Sequence, residues 1–239
     1  MEKCSILGGV KPFVSLVALG AALVPILSVR PVPVVEPLPA PAHAPATVAP
    51  VPPPPVVVGW ATTLPALRIF NTHTGATCSV HLYAADGDVD ELAAAEIDRI
   101  ATERDAAPRP LDRRVLRLIV KAAAHFDAAV VNLVSTYRDS ARSGSRHRSG
   151  EAVDFSMPGV SAVKLAAHLR ENARVGVGVY TNRRTQFVHL DVREQSYHWV
   201  DASPPGRVWR ETRLPDRTAP ARDAAYRMEQ DLPGGAGTR

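Results

Sequence analysis

Ser145-Arg-His147-Arg-Ser-Gly150-Glu-Ala152-Val-Asp154-Phe155 passes from a polar loop into an apolar strand. Gly150 permits a sharp turn between His147 and Asp154, because a residue without a Cβ adopts backbone conformations closed to others. Successive side chains of a strand point to opposite faces, so Val153 and Phe155 share one face and Asp154 takes the other. A carboxylate on a short apolar strand is costly to bury unless it is paired or binds a cation. Further on, Phe187-Val-His189-Leu-Asp191-Val192 alternates cleanly. Val188, Leu190 and Val192 face a core, while Phe187, His189 and Asp191 share the opposite face. Two histidines and a carboxylate on facing strands supply three zinc ligands and leave a fourth position for water, the composition of a catalytic rather than a structural site. As spacing alone, His-x6-Asp with a distant histidine is weak evidence and more often describes polar residues satisfied within a core.

Outward from this pair the chain reads as α+β, a small, mainly antiparallel sheet with helices packed on it. Residues 66–83 alternate around Asn71-Thr-His-Thr-Gly75, which predicts a β-hairpin turning there. Asp88 or Asp90 caps a helix with Leu92, Ile97 and Ile100 on one face. A second helix spans 111–126, with Val115, Leu118, Ile119, Ala122 and Phe126 at helical spacing. Residues 129–135 form a buried strand, 152–155 a short strand, 161–169 a helix, and 175–180 and 187–192 two strands joined by a polar turn.

The 239 residues bear a formal charge of +4, and 11 of the 22 prolines fall between Pro31 and Pro55. That skew divides the chain into an N-terminal segment (1–30), a Pro-rich linker (31–58), a folded domain (59–202) and a Pro/Arg-rich tail expected to be disordered (203–239). Lys3 and Lys11 ahead of the apolar run 13–29 have the order of a secretory signal or signal anchor. Ala42-His43-Ala44 fits a cleavage site, although Pro45 behind it disfavours cutting. The expectation is export to the periplasm or cell envelope, with a membrane tether if the segment is retained. A linker of consecutive prolines favours extended polyproline II at about 3.1 Å per residue, either as a spacer or as a plain disordered connection.

The basic excess suits an acidic polymer and equally an ordinary soluble surface. No Lys/Arg block is interleaved with aromatics, so no nucleic-acid partner is expected. Of the two cysteines, Cys4 precedes the apolar run and Cys78 reads as a packed side chain in a strand. No disulfide framework exists, and no Gly-x-Ser-x-Gly marks a serine hydrolase. Five of the eight histidines, His43, His73, His81, His125 and His168, sit in linker, turn, hairpin or helix positions without chemistry-bearing neighbours; His147 and His189 are distinguished by theirs.

Ser-x-His-x-x-Gly-x-Ala-x-Asp followed by Phe-Val-His-x-Asp resembles the zinc D-Ala-D-Ala carboxypeptidase superfamily (hedgehog/DD-peptidase fold), and within it the exported murein endopeptidase K branch. Leu67-Arg-Ile-Phe-Asn71 and His73-Thr-Gly75 look like that branch's opening hairpin, and Ser135-Thr-Tyr137-Arg138 like its Ser-Gly-Tyr-Arg. Gly176-Val-Gly178-Val-Tyr180 and His198-Trp199 resemble the elements flanking its second histidine. The likeness spans roughly residues 67–200. It implies one Zn²⁺ held by His147, Asp154 and His189, a murein peptide as substrate, and a hydrolysis in which zinc brings the pKa of its water to about 7. Arg138 would hold a substrate carboxylate with its planar, permanently charged fork, or else be a surface arginine. Ser145 would line the groove or only shape a turn.

Many relatives place an acid or histidine two or three residues before the last ligand, where this chain has Gln186 and Phe187. Asp191 and His198 are therefore the candidate catalytic bases. Asp191 also fits a role orienting a ligand imidazole, and His198 a structural one. Departures at Thr136, Val175 and Val192-Arg193 bear on which bond is cut, a cross-link or a terminal D-Ala-D-Ala. The rival from another class is a zinc-containing wall-binding or scaffold module without turnover.

Overall fold

Alternating apolar side chains and well-placed caps set the elements of the computed structural model, which describes residues 57–102, 109–138, 144–207 and 209–233. The N-terminal segment and nearly all of the linker lie outside the described residues. A one-turn helix, α1 (Gly59–Thr63), precedes the hairpin of β1 (Leu67–Asn71) and β2 (Thr77–Val80). The hairpin turn is set by Asn71, whose side-chain oxygen accepts from the backbone N–H of His73 at 2.9 Å and Thr74 at 3.2 Å. Asp90 caps α2 (Glu91–Ala101) by accepting from the N–H of Leu92 and Ala93. Ile97 and Ile100 of α2 are buried, but Leu92 is exposed and does not join that face. Asp112 caps α3 (Arg113–His125), and β3 (Val130–Ser135) follows. Next come α4 (Arg146–Ser149), β4 (Ala152–Ser156), α5 (Ala162–Leu169), β5 (Val175–Tyr180), β6 (Phe187–Val192) and β7 (Tyr197–Asp201).

The class is α+β, but the sheet is neither small nor mainly antiparallel in the sense the sequence predicts. It is a mixed sheet of eight strands, in the order β2-β1-β3-β4-β6-β5-β7-β8, the last being Thr212–Leu214. β1 and β3 run parallel, as do β5 and β7. The first parallel pair arises because α2 and α3 carry the chain over one face before it returns, as a parallel connection requires. The second arises because residues 193–196 carry the chain from β6 past β5 to β5's outer edge. Parallel pairing depends on where a strand returns, which local alternation does not encode.

One face of the sheet is apolar. Ile69, Val131, Leu133, Val153, Phe155, Val177, Val188 and Leu190 join residues of α2, α3 and α5 in one continuous core. Phe155, Val153, Val188 and Leu190 have no exposed surface, and each such side chain contributes about 1.5–3 kcal/mol relative to full exposure. Asp154, His189 and Asp191 lie on the other face, as the alternation requires.

The tail expectation fails for the described residues beyond 203. β8 pairs with β7, α6 (Ala219–Ala224) follows, and a 3₁₀ turn spans Met228–Asp231. Buried Asp223 accepts from the backbone N–H of Arg174 at 2.6 Å and of Ser196 at 2.7 Å. Arg114 donates to buried Asp231 at 2.7 Å and to the carbonyls of Ala173 and Arg174. Composition reads this stretch as non-globular, but its few acids are spent on specific internal donors. Cys78 is a free, half-buried strand residue whose thiol burial pushes up to about 11, so it packs as expected. Among the described residues no helix is long and apolar enough to cross a membrane.

Candidate metal centre

His147 reaches the site through a single short turn. Ser145 stands at the N-terminus of α4 with extended backbone (φ −70°, ψ 128°), and Gly150 ends the turn in the left-handed region (φ +76°). A Cβ at Gly150 would strike the Tyr137 hydroxyl, so glycine is required there on two counts. The His147 ring is buried, and its Nδ1–H donates to the carbonyl of Thr136 at 2.6 Å. That bond fixes the tautomer and leaves Nε2 with a bare lone pair. The Thr136 hydroxyl in turn donates to the carbonyl of Ala101.

Asp154 and His189 are direct cross-strand partners of β4 and β6. Asp154 Oδ1 lies 2.9 Å from His189 Nδ1 and 3.5 Å from His147 Nε2, and the two ring nitrogens are 3.2 Å apart. All three residues are buried, and their ligand atoms lie within 4.8 Å of one another. Zinc ligands at about 2.0–2.1 Å in a tetrahedron stand about 3.3 Å from each other. The triangle observed, 2.9 to 3.5 Å on a side, is that of three tetrahedral vertices. The donor set, with one imidazole already held in the right tautomer, fits a divalent ion such as zinc.

The second imidazole is oriented in the same manner. His189 Nε2–H donates to Asp191 Oδ2 at 2.9 Å, which turns Nδ1 toward Asp154 and His147. Burial would lower the His189 pKa, but carboxylates on both sides raise it to about 9, so without metal the ring carries both protons. An ion would take the place of the Nδ1 proton. Burial also opposes ionisation of Asp154, yet the hydrogen bond from the protonated His189 and its charge hold it well below the usual carboxylate range. Asp191 is held low in the same way by His189 and by Arg193, whose Nε donates to it at 2.6 Å. Arg146 adds a third cation at 3.5 Å.

Two expected roles change on this geometry. Asp191 is on the same face as His189, but the imidazole stands between it and the metal triangle. Its oxygens are taken by His189, Arg193 and Arg146, an arrangement that suits the orienting role given above better than that of a base for a water at the site. His198 is a stricter correction. It pairs laterally with Val177, which pairs with Leu190, whereas His189 pairs with Gly178. One residue of parity therefore puts His198 on the core face, opposite the metal triangle.

Arg138 does reach the site, with its Nη2 on Asp154 Oδ2 and its Nε donating to Ser135 Oγ at 2.7 Å. It is half exposed and borders a cleft of about 370 Å³ shared with His73, Thr74 and Thr136. Ser145 is half-buried and its carbonyl accepts from Arg148 N at 3.0 Å, as the start of the turn that carries His147. The sequence reading missed Thr136, Arg193 and Trp199. Arg193 continues the alternation 187, 189, 191, 193, which was the available signal. Trp199 places its ring 5.0 Å from that of His189, tilted by 48°, and the parity that removes His198 is what brings it there.

The family described as Peptidoglycan L,D-endopeptidase MepK matches residues 60–199, more than half of the chain and every strand of the site. None of the curated proteins matches the chain, and none of the solved structures does.

Proposed function

We infer from one premise, that this chain belongs to the peptidoglycan L,D-endopeptidase MepK family of the zinc D-Ala-D-Ala carboxypeptidase-like superfamily, that it is a zinc-dependent hydrolase of murein peptide cross-links. The observation that carries the zinc dependence is the buried triangle of His147 Nε2, Asp154 Oδ1 and His189 Nδ1. An ion held there supplies a Lewis acid for the scissile carbonyl and a water acidic enough to ionise near neutral pH.

The chain's own residues do the rest. Thr136 and Asp191 hold the two imidazoles in the tautomers that aim a lone pair at the site. Asp154 stays ionised because its burial is more than offset by cationic neighbours. Arg138 spends two of its five N–H donors on Ser135 and Asp154 and offers the others to the cleft, where a carboxylate of the peptide is held. The N-terminal apolar segment exports the chain to the cell envelope, where murein lies. The cross-link is favoured over a terminal D-Ala-D-Ala bond, in keeping with the family's description.

A wall-binding module that holds the ion without turnover is the second reading. One observation favours it: neither candidate base borders the triangle, since the His189 ring stands between it and Asp191, and His198 lies on the opposite face. Incubation of the chain with murein, with and without chelator, separates the two. Cleaved muropeptides that disappear with chelator and return with Zn²⁺ support the hydrolase. Wall binding with a full complement of zinc and no new fragments supports the module.

A further inference from the structure

β8 lies beyond the residues that match the family, yet it puts a side chain on the same face as the metal triangle. Trp199 of β7 pairs laterally with Gly178 on one side and with Arg213 of β8 on the other. Gly178 also pairs with His189. A single lateral row therefore runs His189, Gly178, Trp199, Arg213. The absence of a side chain at Gly178 makes it continuous, since a Cβ there would collide with the Trp199 indole. That indole lies against His189 on one side and against the Tyr197 ring, 5.6 Å away, on the other.

The Arg213 guanidinium sits 5.4 Å from the centre of the Tyr197 ring. A cation–π contact of this kind favours that position for the guanidinium without using its N–H donors. The other arginines near the triangle each hold an acid of the site's surroundings: Arg138 holds Asp154 with part of its donors, Arg146 holds Glu151, and Arg193 holds Asp191. Arg213 has no ion pair among the described residues. Glu211, its nearest acid in sequence, accepts from the Tyr197 hydroxyl at 3.0 Å instead.

We propose that Trp199, Tyr197 and Arg213 form a distal subsite that binds a carboxylate of the peptide substrate, with Arg213 as the specificity-determining residue. The proposal rests on the murein-peptide reading above and names where the peptide lies. Neighbouring strands are about 4.8 Å apart, so three steps separate the backbones of His189 and Arg213 by about 14 Å. An extended peptide covers that span in about four residues. A stem peptide bound at the triangle thus runs over the indole and meets Arg213 with an acidic group well removed from the scissile bond.

Calorimetric titration tests this without turnover. The full chain, stripped of metal with chelator, is titrated with an acidic stem peptide and with the same peptide fully amidated. The Arg213→Ala variant should bind the acidic peptide about tenfold more weakly, as expected for one charge-assisted contact. Arg213→Lys should recover part of that loss, and the amidated peptide should not distinguish the three proteins. With zinc restored, the loss should appear in KM rather than kcat. Equal losses for both peptides, or none for either, overturn the subsite. If the zinc-loaded chain cleaves neither peptide but the carboxylate-dependent difference persists, the hydrolase reading falls and the subsite stands.

Discussion

His189 and His198 are both buried imidazoles, on strands separated only by β5, and they differ in nearly every property that matters. His189 has a carboxylate on each ring nitrogen, a second imidazole at 3.2 Å and a pKa raised to about 9. Among the described residues His198 has no hydrogen-bond partner on either nitrogen; burial, reinforced by Arg170, lowers its pKa to about 4. The closest carboxylate, Asp216 at 3.6 Å, is engaged by Arg222. The cause is parity. A side chain on one face of this sheet is hydrogen-bonded by acids on both nitrogens, and a side chain one position along is buried on the core face with its nearest acid already held by an arginine.

Exchange at the two positions should break the comparison most sharply. His189→Ala removes a ligand and should lower murein hydrolysis by on the order of 10³-fold or more, the scale seen when one member of a catalytic unit is lost. His198→Leu, which fills the same core space without polar atoms, should leave the hydrolysis rate within about threefold. Release of muropeptides followed by chromatography measures both.

Asp191→Asn should give the next largest effect. It retains the shape but weakens the hold on the His189 Nε2–H, and a loss of about 10–100-fold in zinc affinity is expected for a carboxylate supporting a ligand. Competition with a chromogenic chelator reads it, with unchanged circular dichroism as the folding control. Gly178→Ala should follow, because the added methyl displaces the Trp199 indole from beside His189. Overpacking of this kind costs about 1–3 kcal/mol, visible as a lower midpoint in urea.

The smallest effect is the pH dependence contributed by His198. Its folded pKa of about 4 lies below the value of about 6.5 expected in the unfolded chain. Between these values the unfolded form binds more protons, so stability falls as pH falls through that window. His198→Leu should flatten this part of the Tm-against-pH curve. A curve with unchanged slope would mean that His198 is not buried neutral.

Much of the site was legible because strand alternation is a strict rule. Val153-Asp154-Phe155 and the run from Phe187 to Val192 each assign faces without ambiguity, and the structure follows them. The carboxylate–imidazole pairing across β4 and β6 needed only the register that places Asp154 opposite His189. The same rule was not applied to His198, because the strand containing it was not recognised from Tyr197-His-Trp-Val alone. Asp191 was placed on the correct face, but its role depends on which nitrogen of His189 it meets, and no spacing encodes a ring orientation. The parallel pairings of β1 with β3 and β5 with β7 were illegible for another reason: they are fixed by long-range packing of α2, α3 and the crossover at 193–196. The ordered tail escaped because Pro, Arg and Gly content says nothing about buried acceptors such as Asp223 and Asp231.

The central claim is that His147, Asp154 and His189 converge on one divalent ion while His198 takes no part. Elemental analysis of zinc in the purified chain and its variants tests it directly. The account predicts one zinc per chain in the unaltered protein and in His198→Leu, and close to none in His189→Ala and Asp154→Ala. Full zinc in the His189 and Asp154 variants, or its loss in His198→Leu with the fold intact, would contradict it.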